Sequence, residues 1–266
     1  MKETASENVS GTRLIHTYEG GGWTEQEDDI ALEAPVTIHV NGDEFATLLC
    51  TPSYMEDMVY GFLLSEGVIR SADDVTRLDI SEEKGIVHAD VKEMLPLDRL
   101  GVSKRVIGSC CGKSRQFYFE NDRRTAKTVS SPVRIRPEQI IRLMKEMQEG
   151  SADFHATGGL HNVGLATADE LLVTRSDIGR HNGLDKLFGY SVRHRISLKD
   201  KVIVFSGRLS SEVLLKVSKI GAGVVLSKSA PTSLALDLAD DLGITAVGFI
   251  RRDRFNVYTH PERIDG

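Results

Sequence analysis

Apolar and polar positions first alternate at Val36, Ile38 and Val40, and after Asn41-Gly42 the alternation returns at Phe45, Thr47 and Leu49. A period of two on both sides of an Asn-Gly pair predicts a β-hairpin, because that dipeptide accepts the left-handed backbone of a tight turn. Thr51-Pro52 then predicts a helix start, with proline at the first helical position and Glu56 and Asp57 in the early turns. Met55, Val59, Phe62 and Leu63 supply its apolar stripe, and Gly67 ends it. Two short strands are expected next, over 76–80 and 85–91. Strand, strand, helix, strand, strand makes a small α+β domain over residues 31–95.

Periodicity is weak from 96 to 136 and recovers in a helix over Pro137–Gln148, with Ile140, Ile141, Leu143 and Met144 apolar. Strands are then expected over 163–168 and 171–174, a helix from Arg180, and a strand over 201–205. A helix over 209–220, a strand over 224–227, a helix over 231–242 and a strand over 245–250 complete the alternation. Alternating strands and helices imply an α/β domain over 137–266 whose sheet is covered by helices and is mixed, since its first two strands form a hairpin. Residues 1–30, polar and containing Gly20-Gly21-Gly22, read as a flexible lead-in. The boundary between the two units falls between Leu95 and Pro137.

The chain has 266 residues and a formal net charge of -6, which argues against general nucleic-acid binding. No apolar run is long enough to span a membrane, and the N-terminus lacks the order of a signal peptide. Three cysteines without metal-site spacing fit a reducing cytoplasm. Charge is uneven. Glu25, Glu27, Asp28 and Asp29 make the lead-in acidic, whereas the stretch from Arg99 to Lys127 is mostly basic.

That basic stretch holds the run Gly108-Ser109-Cys110-Cys111-Gly112-Lys113-Ser114-Arg115, with Lys104 and Arg105 before it. Cations favour the thiolate, the nucleophilic form of cysteine. Burial as small hydrophobes and a strained vicinal disulfide are the competing readings. Neighbours that are glycine, serine and cations rather than periodic apolar residues favour a reactive, exposed thiol on a mobile basic segment, 96–136.

The second domain adds three polar glycine turns: 157–161 with Gly158, Gly159 and His161; 177–182 with Asp177, Gly179, Arg180 and His181; and 206–210 with Ser206, Gly207 and Arg208. A fourth cluster, Phe249-Ile250-Arg251-Arg252-Asp253-Arg254, follows the last strand. None matches a Walker loop or the dinucleotide fingerprint. Turns that open helices attract anions and arginine grips phosphate, so together they predict a phosphorylated, nucleotide-like ligand at one sheet edge. Asp177 is expected to accept from a ribose hydroxyl or a base edge.

With these stretches in view the chain resembles the formate dehydrogenase accessory sulfurtransferases, the FdhD/NarQ family, from about Glu33 to Tyr258. The resemblance rests on Val40-Asn41-Gly42, Thr51-Pro52, Gly61 through Ile69, Cys111-Gly112, Phe154 through His161, Asp177 through Asn182, Asp185-Lys186, Ser206-Gly207-Arg208, Pro231-Thr232 and Gly248 through Arg251. It implies a larger domain similar in fold to cytidine deaminases, and a homodimer. It also implies a sulfur carrier that accepts persulfide sulfur from a cysteine desulfurase and passes it to the molybdenum bis-guanine-dinucleotide cofactor for formate dehydrogenase. Phe249 to Arg254 match the family's cofactor-binding segment. Many members carry Cys-x-x-Cys-Gly in the loop; here Gly108 stands at the first cysteine position and Cys110 is adjacent to Cys111 instead. Either Cys111 or Cys110 is then the persulfide site. The His-x-Glu and Pro-Cys-x-x-Cys pattern of zinc deaminases is absent, so deamination is not implied. The alternative reading is a non-catalytic chaperone of the molybdenum cofactor, and a resident metal is not expected.

Overall fold

The computed structural model describes residues 9–92, 106–107, 126–150 and 157–266. The cysteine pair and its basic neighbours from Lys104 to Arg115 lie outside the described residues, apart from the backbone of Val106 and Ile107, and so do Phe154 to Ala156.

Strands β1 (Ser10–Glu19) and β2 (Gly22–Ala31) pair as a separate two-stranded sheet. A lead-in without regular structure was expected there. The difference arises at Gly20 and Gly21, whose φ angles of 59° and 91° give the two left-handed residues of a tight hairpin turn. Strands β3 (Ala34–Val40), β4 (Asp43–Cys50), β5 (Val75–Ser81), β6 (Ile86–Val91) and β7 (Val106–Ile107) form a second sheet in the order β5-β6-β3-β4-β7. The β3–β4 hairpin turns at Asn41 and Gly42, with φ of 50° and 93° as an Asn-Gly turn requires. β3 runs parallel to β6, and β4 runs parallel to β7.

Helix α1 (Met55–Ser65) starts later than its proline suggested, after Tyr54 at φ 49°. Thr51 is instead spent on tertiary bonds: its N–H donates to Asp177 Oδ2 at 3.1 Å, and its hydroxyl accepts from Ile178 N at 3.2 Å. Gly67, at φ 71°, closes the helix as expected.

Helix α2 (Pro137–Glu149) leads into the third sheet, ordered β13-β12-β11-β10-β8-β9. Its strands are β8 (His161–Ala166), β9 (Leu171–Asp177), β10 (Val202–Phe205), β11 (Val224–Ser227), β12 (Thr245–Gly248) and β13 (Asn256–Val257), with helices α3 (Arg180–Arg193), α4 (Ser211–Ile220) and α5 (Ser233–Asp241) between them. β10, β11 and β12 are mutually parallel and β8 is antiparallel to both neighbours, so the sheet is mixed. The molecule is α/β, as the alternation implied. β10 and β11 read Val-Ile-Val-Phe and Val-Val-Leu-Ser because both faces of this sheet are covered. Val202, Val204, Val224 and Leu226 meet Ile140, Leu143 and Met147 of α2 on one face. Ile203, Phe205 and Val225 share the other face's core with α1, α3, α4 and the inner side of the β3–β4–β6 sheet. One apolar core therefore runs through both units.

The tightest joint in that core is the α1–α3 crossing. A Cβ on Gly61 would lie 1.8 Å from the Asp185 carbonyl oxygen, and a Cβ on Gly189 would lie 1.8 Å from that of Asp57. The helices touch backbone to backbone, and no side chain fits between them. Among the described residues no helix is long and apolar enough to cross a membrane.

Replacing Gly61 or Gly189 by Ala forces the helices apart. Each change is expected to lower stability by about 3 kcal/mol, the upper range for overpacked cores, read as a fall in the urea midpoint at unchanged slope. A midpoint equal to wild type would contradict the crossing.

Candidate functional site

Asp177 ends β9 and is fully buried. Its Oδ1 accepts from Gly179 N at 2.7 Å and from Asn182 Nδ2 at 2.9 Å, while Oδ2 accepts from Thr51 N and lies 2.8 Å from Lys186 Nζ. Lys186, also fully buried, donates further to Thr51 O, Ser53 Oγ and Ser176 O at 3.0 to 3.1 Å. Both carboxylate oxygens are occupied, so Asp177 cannot meet a ribose or base as the sequence suggested. It locks the β4 end to the start of α3. A buried pair left without one partner typically costs 3–5 kcal/mol, which makes this lock an all-or-none contact. Arg175 is held similarly, donating to Asp57 Oδ2 through Nε at 2.9 Å and Nη2 at 2.8 Å.

Above this lock the predicted turns meet at one edge of the six-stranded sheet. His161 opens β8 directly opposite Asp177. Ser206 follows β10, donating its N–H to Asn162 O at 3.0 Å and accepting from Asn162 N at Oγ, at 2.9 Å. Gly207 is glycine for a local reason: a Cβ there would lie 2.8 Å from the Phe205 ring and 3.4 Å from His161 Nδ1. After β11, Ser227 Oγ donates to Gly207 O at 2.8 Å and Ser229 Oγ donates to Ser206 O at 3.1 Å. After β12, Phe249 N donates to Ser229 O and Arg251 Nη1 donates to Lys228 O at 2.6 Å. The hydrogen-bond ladder thus continues past the strands and holds the loops in register. Strand order places 177–181, 161, 206–208, 227–229 and 249–254 along a strip that spans four strand spacings, about 19 Å.

Three helices begin on this strip, α3 after Gly179, α4 after Ser210 and α5 after Thr232. Ser210 caps α4 through its hydroxyl, which accepts from Val213 N at 3.4 Å. Their first-turn N–H groups and dipoles face the edge and favour anions. Arg208, Arg251, Arg252 and Arg254 are exposed there, and Arg180 and Lys228 are half-buried. Burial, and after it the Arg180 charge, hold the His161 imidazole below its usual range, against an opposing pull from Asp177. His161 is therefore neutral at pH 7. Between the α3 and α4 starts, His181 Nε2 lies 3.3 Å from Glu212 Oε2.

The predicted site residues separate by what their side chains face. Gly158, at φ 63°, and Gly159 lie exposed in the turn before His161, with Gly159 against Ala31. Gly179 and Gly207 are buried turn residues. Ile250 is 1% exposed and packs toward α2, so only its backbone borders the strip. Phe249, with φ 53°, is held outward in a strained left-handed conformation, and Asp253 is exposed beside it. Sequence reading missed Asn162, Glu212 and the Ser227-Lys228-Ser229 loop. A serine-rich loop between a buried strand and Pro231-Thr232 was a signal for the last of these. Among the described residues no group of three or more His, Cys, Asp or Glu is arranged to hold a metal ion.

The third cysteine, Cys50, is buried at the end of β4, and burial followed by the Asp177 charge pushes its thiol up to about 12. A maleimide or iodoacetamide at pH 8 is expected to leave Cys50 unmodified in the native protein and to modify it in denaturant. Peptide mapping that finds native labelling at Cys50 would contradict its burial.

The model of the FdhD/NarQ family matches residues 31–265. A protein from Geobacillus kaustophilus named sulfur carrier protein FdhD is 58% identical over 253 residues, covering 95% of this chain and 96% of its own. One of the same name from Bacillus subtilis is 52% identical, covering 97% of this chain and 99% of its own. A crystal structure from Desulfotalea psychrophila, described as that of a formate dehydrogenase accessory protein, superposes with a TM-score of 0.77 at 25% identity, over 97% of this chain and 100% of that one. With the family model covering most of its length, this chain belongs to the FdhD/NarQ family.

Proposed function

We propose that this protein is a sulfur carrier that accepts persulfide sulfur from a cysteine desulfurase and hands it to the molybdenum bis-guanine-dinucleotide cofactor, in support of formate dehydrogenase. The carrying observation is that the turns at the edge of the six-stranded sheet meet the end of β4, the strand of the neighbouring five-stranded sheet that pairs with β7, which leads to the cysteine pair. β7 runs parallel to β4 with Ile107 opposite Leu48. Leu49 O, next along β4, accepts from Asn182 Nδ2 at 2.9 Å beside the Asp177 lock. Cys110 follows Ile107 by three residues, at most about 11 Å of extended chain. The names of the relatives support the sulfur chemistry, and the exposed arginines with three helix starts support a ligand bearing diphosphates.

In the proposed acceptor step, the thiolate of Cys111 or Cys110 attacks the terminal sulfur of the donor's persulfide. A new S–S bond forms to the carrier, the donor's S–S bond breaks, and the donor leaves as a thiolate. The nearby cations of the sequence, Lys104, Arg105, Lys113 and Arg115, favour the attacking thiolate. On the strip, Arg208, Arg251, Arg252 and Arg254 hold phosphates, and neutral His161 donates or accepts one hydrogen bond without adding charge. A non-catalytic cofactor chaperone would use the same strip, so only the thiols distinguish the two readings.

Incubation with a cysteine desulfurase and cysteine is expected to add one reducible sulfur mass to the intact protein, lost in either Cys110→Ala or Cys111→Ala and never mapped to Cys50. No gain in wild type, with an active desulfurase of the same source, would favour the chaperone. Independently, calorimetry with guanosine diphosphate should show binding that weakens about tenfold in Arg208→Ala or Arg254→Ala, the loss of one charge-assisted contact. Undiminished binding in both would remove the strip as the nucleotide site.

A further inference from the structure

β3 and β6 run parallel with His39 directly opposite His88. Each histidine alternates with buried neighbours, Ile38 and Val40 on β3 and Val87 and Ala89 on β6, so both stand on the outer face of the five-stranded sheet. Their rings lie 4.9 Å apart between centroids and 30° from parallel. His88 is exposed, whereas His39 is half-buried, with its Nδ1 shut off from solvent and without a hydrogen-bond partner among the described residues. Ring nitrogens elsewhere are occupied: His194 Nδ1 lies 2.9 Å from Tyr190 O, and His260 Nδ1 lies 3.1 Å from Glu262 Oε1. Buried polar atoms are normally paired, so a coordinating capacity is left at His39 that the fold itself does not use.

The row continues on both sides of the pair. Asp79 of β5 stands opposite His88. On β4 a bulge inserts Phe45 between the pairs Ile38–Ala46 and His39–Glu44. Phe45 and Ala46 are therefore both buried, with the Phe45 ring 5.9 Å from that of Phe62, and Glu44 is returned to the face of His39. Carboxylate, imidazole, imidazole and carboxylate thus cross four adjacent strands. Asp90 shares this face with His88, and Arg77 stands opposite Asp90 and donates to Asp79. Glu44, Asp79 and Asp90 outweigh Arg77, so the field around the two rings favours a cation.

We propose that His39 and His88 form a two-imidazole site for a divalent first-row transition metal ion, on the outer face of the five-stranded sheet. Imidazole nitrogen suits nickel, copper and zinc rather than magnesium or calcium, which take oxygen. One ion bound at about 2 Å to each of two nitrogens spans about 4 Å between them, and facing rings on directly opposed residues reach that span by turning about χ2, the soft torsion of histidine. Water fills the remaining positions, so the site needs fewer side chains than the three-residue arrangement that is absent among the described residues. An ion held there ties β3 to β6 through side chains as well as backbone, and it stabilises the sheet on which β4 carries β7.

Calorimetric titration with Ni2+ reads the site directly, whether or not sulfur transfer occurs. The full chain carrying Cys110→Ala and Cys111→Ala, which removes competing thiols, is expected to bind one Ni2+ saturably. Adding His39→Gln or His88→Gln is expected to weaken that binding at least tenfold, while His194→Gln, a surface histidine outside the row, leaves it unchanged. Saturating Ni2+ is expected to raise the urea midpoint of the parent and not that of the His39 and His88 variants, and the midpoints without Ni2+ show that each variant is folded. Because His88 is exposed, its change tests the site without disturbing the core. The absence of saturable binding, binding that survives either the His39 or the His88 change, or binding lost in His194→Gln would each overturn the proposal and leave the two rings as surface packing.

Discussion

The approach of α1 to α3 at Gly61 and Gly189 sets where everything else lies. With backbone against backbone, charged side chains on either side of the crossing reach across it. Asp57 on α1 takes Arg175 and, at 2.5 Å, Arg193; Asp185 on α3 takes Ser65 Oγ at 2.7 Å and Lys216 Nζ at 2.5 Å. Such buried pairs contribute little net stability against apolar packing, but they tolerate few alternative arrangements. Their effect is registration. They fix the β3–β4–β6 sheet against the six-stranded sheet so that the end of β4 meets Asp177.

That registration matters because the site is assembled from chain ends rather than from one motif. Strands β9, β10, β11 and β12 end on the strip, β8 begins there, and three helices start from it. Each loop is bound to its neighbour by backbone or serine hydroxyl bonds, so the strip is rigid where a ligand would meet it. The division of labour among charges follows from burial. Asp177, Lys186, Arg175 and Asp57 saturate one another inside, whereas the arginines at 208, 251, 252 and 254 remain exposed on the edge. A polar residue in a glycine turn is thus as readily a structural lock as a ligand contact, and hydrogen-bond saturation tells them apart.

Most elements were legible because their periods are strong and their ends are marked. Pro137 and Gly67 bracket helices, Asn41-Gly42 makes a hairpin, and the apolar runs of β10 and β11 can only be buried strands. The β1–β2 hairpin was not read, although Gly20-Gly21 is a hairpin signal. Its strands mix acid, hydroxyl and isolated apolar residues because neither face enters the core, and without burial the period-two pattern carries little contrast. The start of α1 was misplaced for the opposite reason: Thr51-Pro52 has a cap's composition, yet its groups are drawn to Asp177 and Lys186 across 126 and 135 residues of chain.

By itself the sequence determined the kinds of elements, the mixed sheet, the cysteine pair in its cationic run, and the family, since these depend on local pattern and on ordered short motifs. The tertiary structure decided which polar residues face a ligand and which are locked inside. It brought Ser227 to Ser229 and Glu212 to the edge, took Asp177 and Ile250 out of contact with solvent, and set β7, at the entry to the cysteine segment, on the strand whose end meets the turn at Asp177. The physical reason is that burial and hydrogen-bond saturation are properties of residues far apart in the chain, settled only when α1 closes on α3.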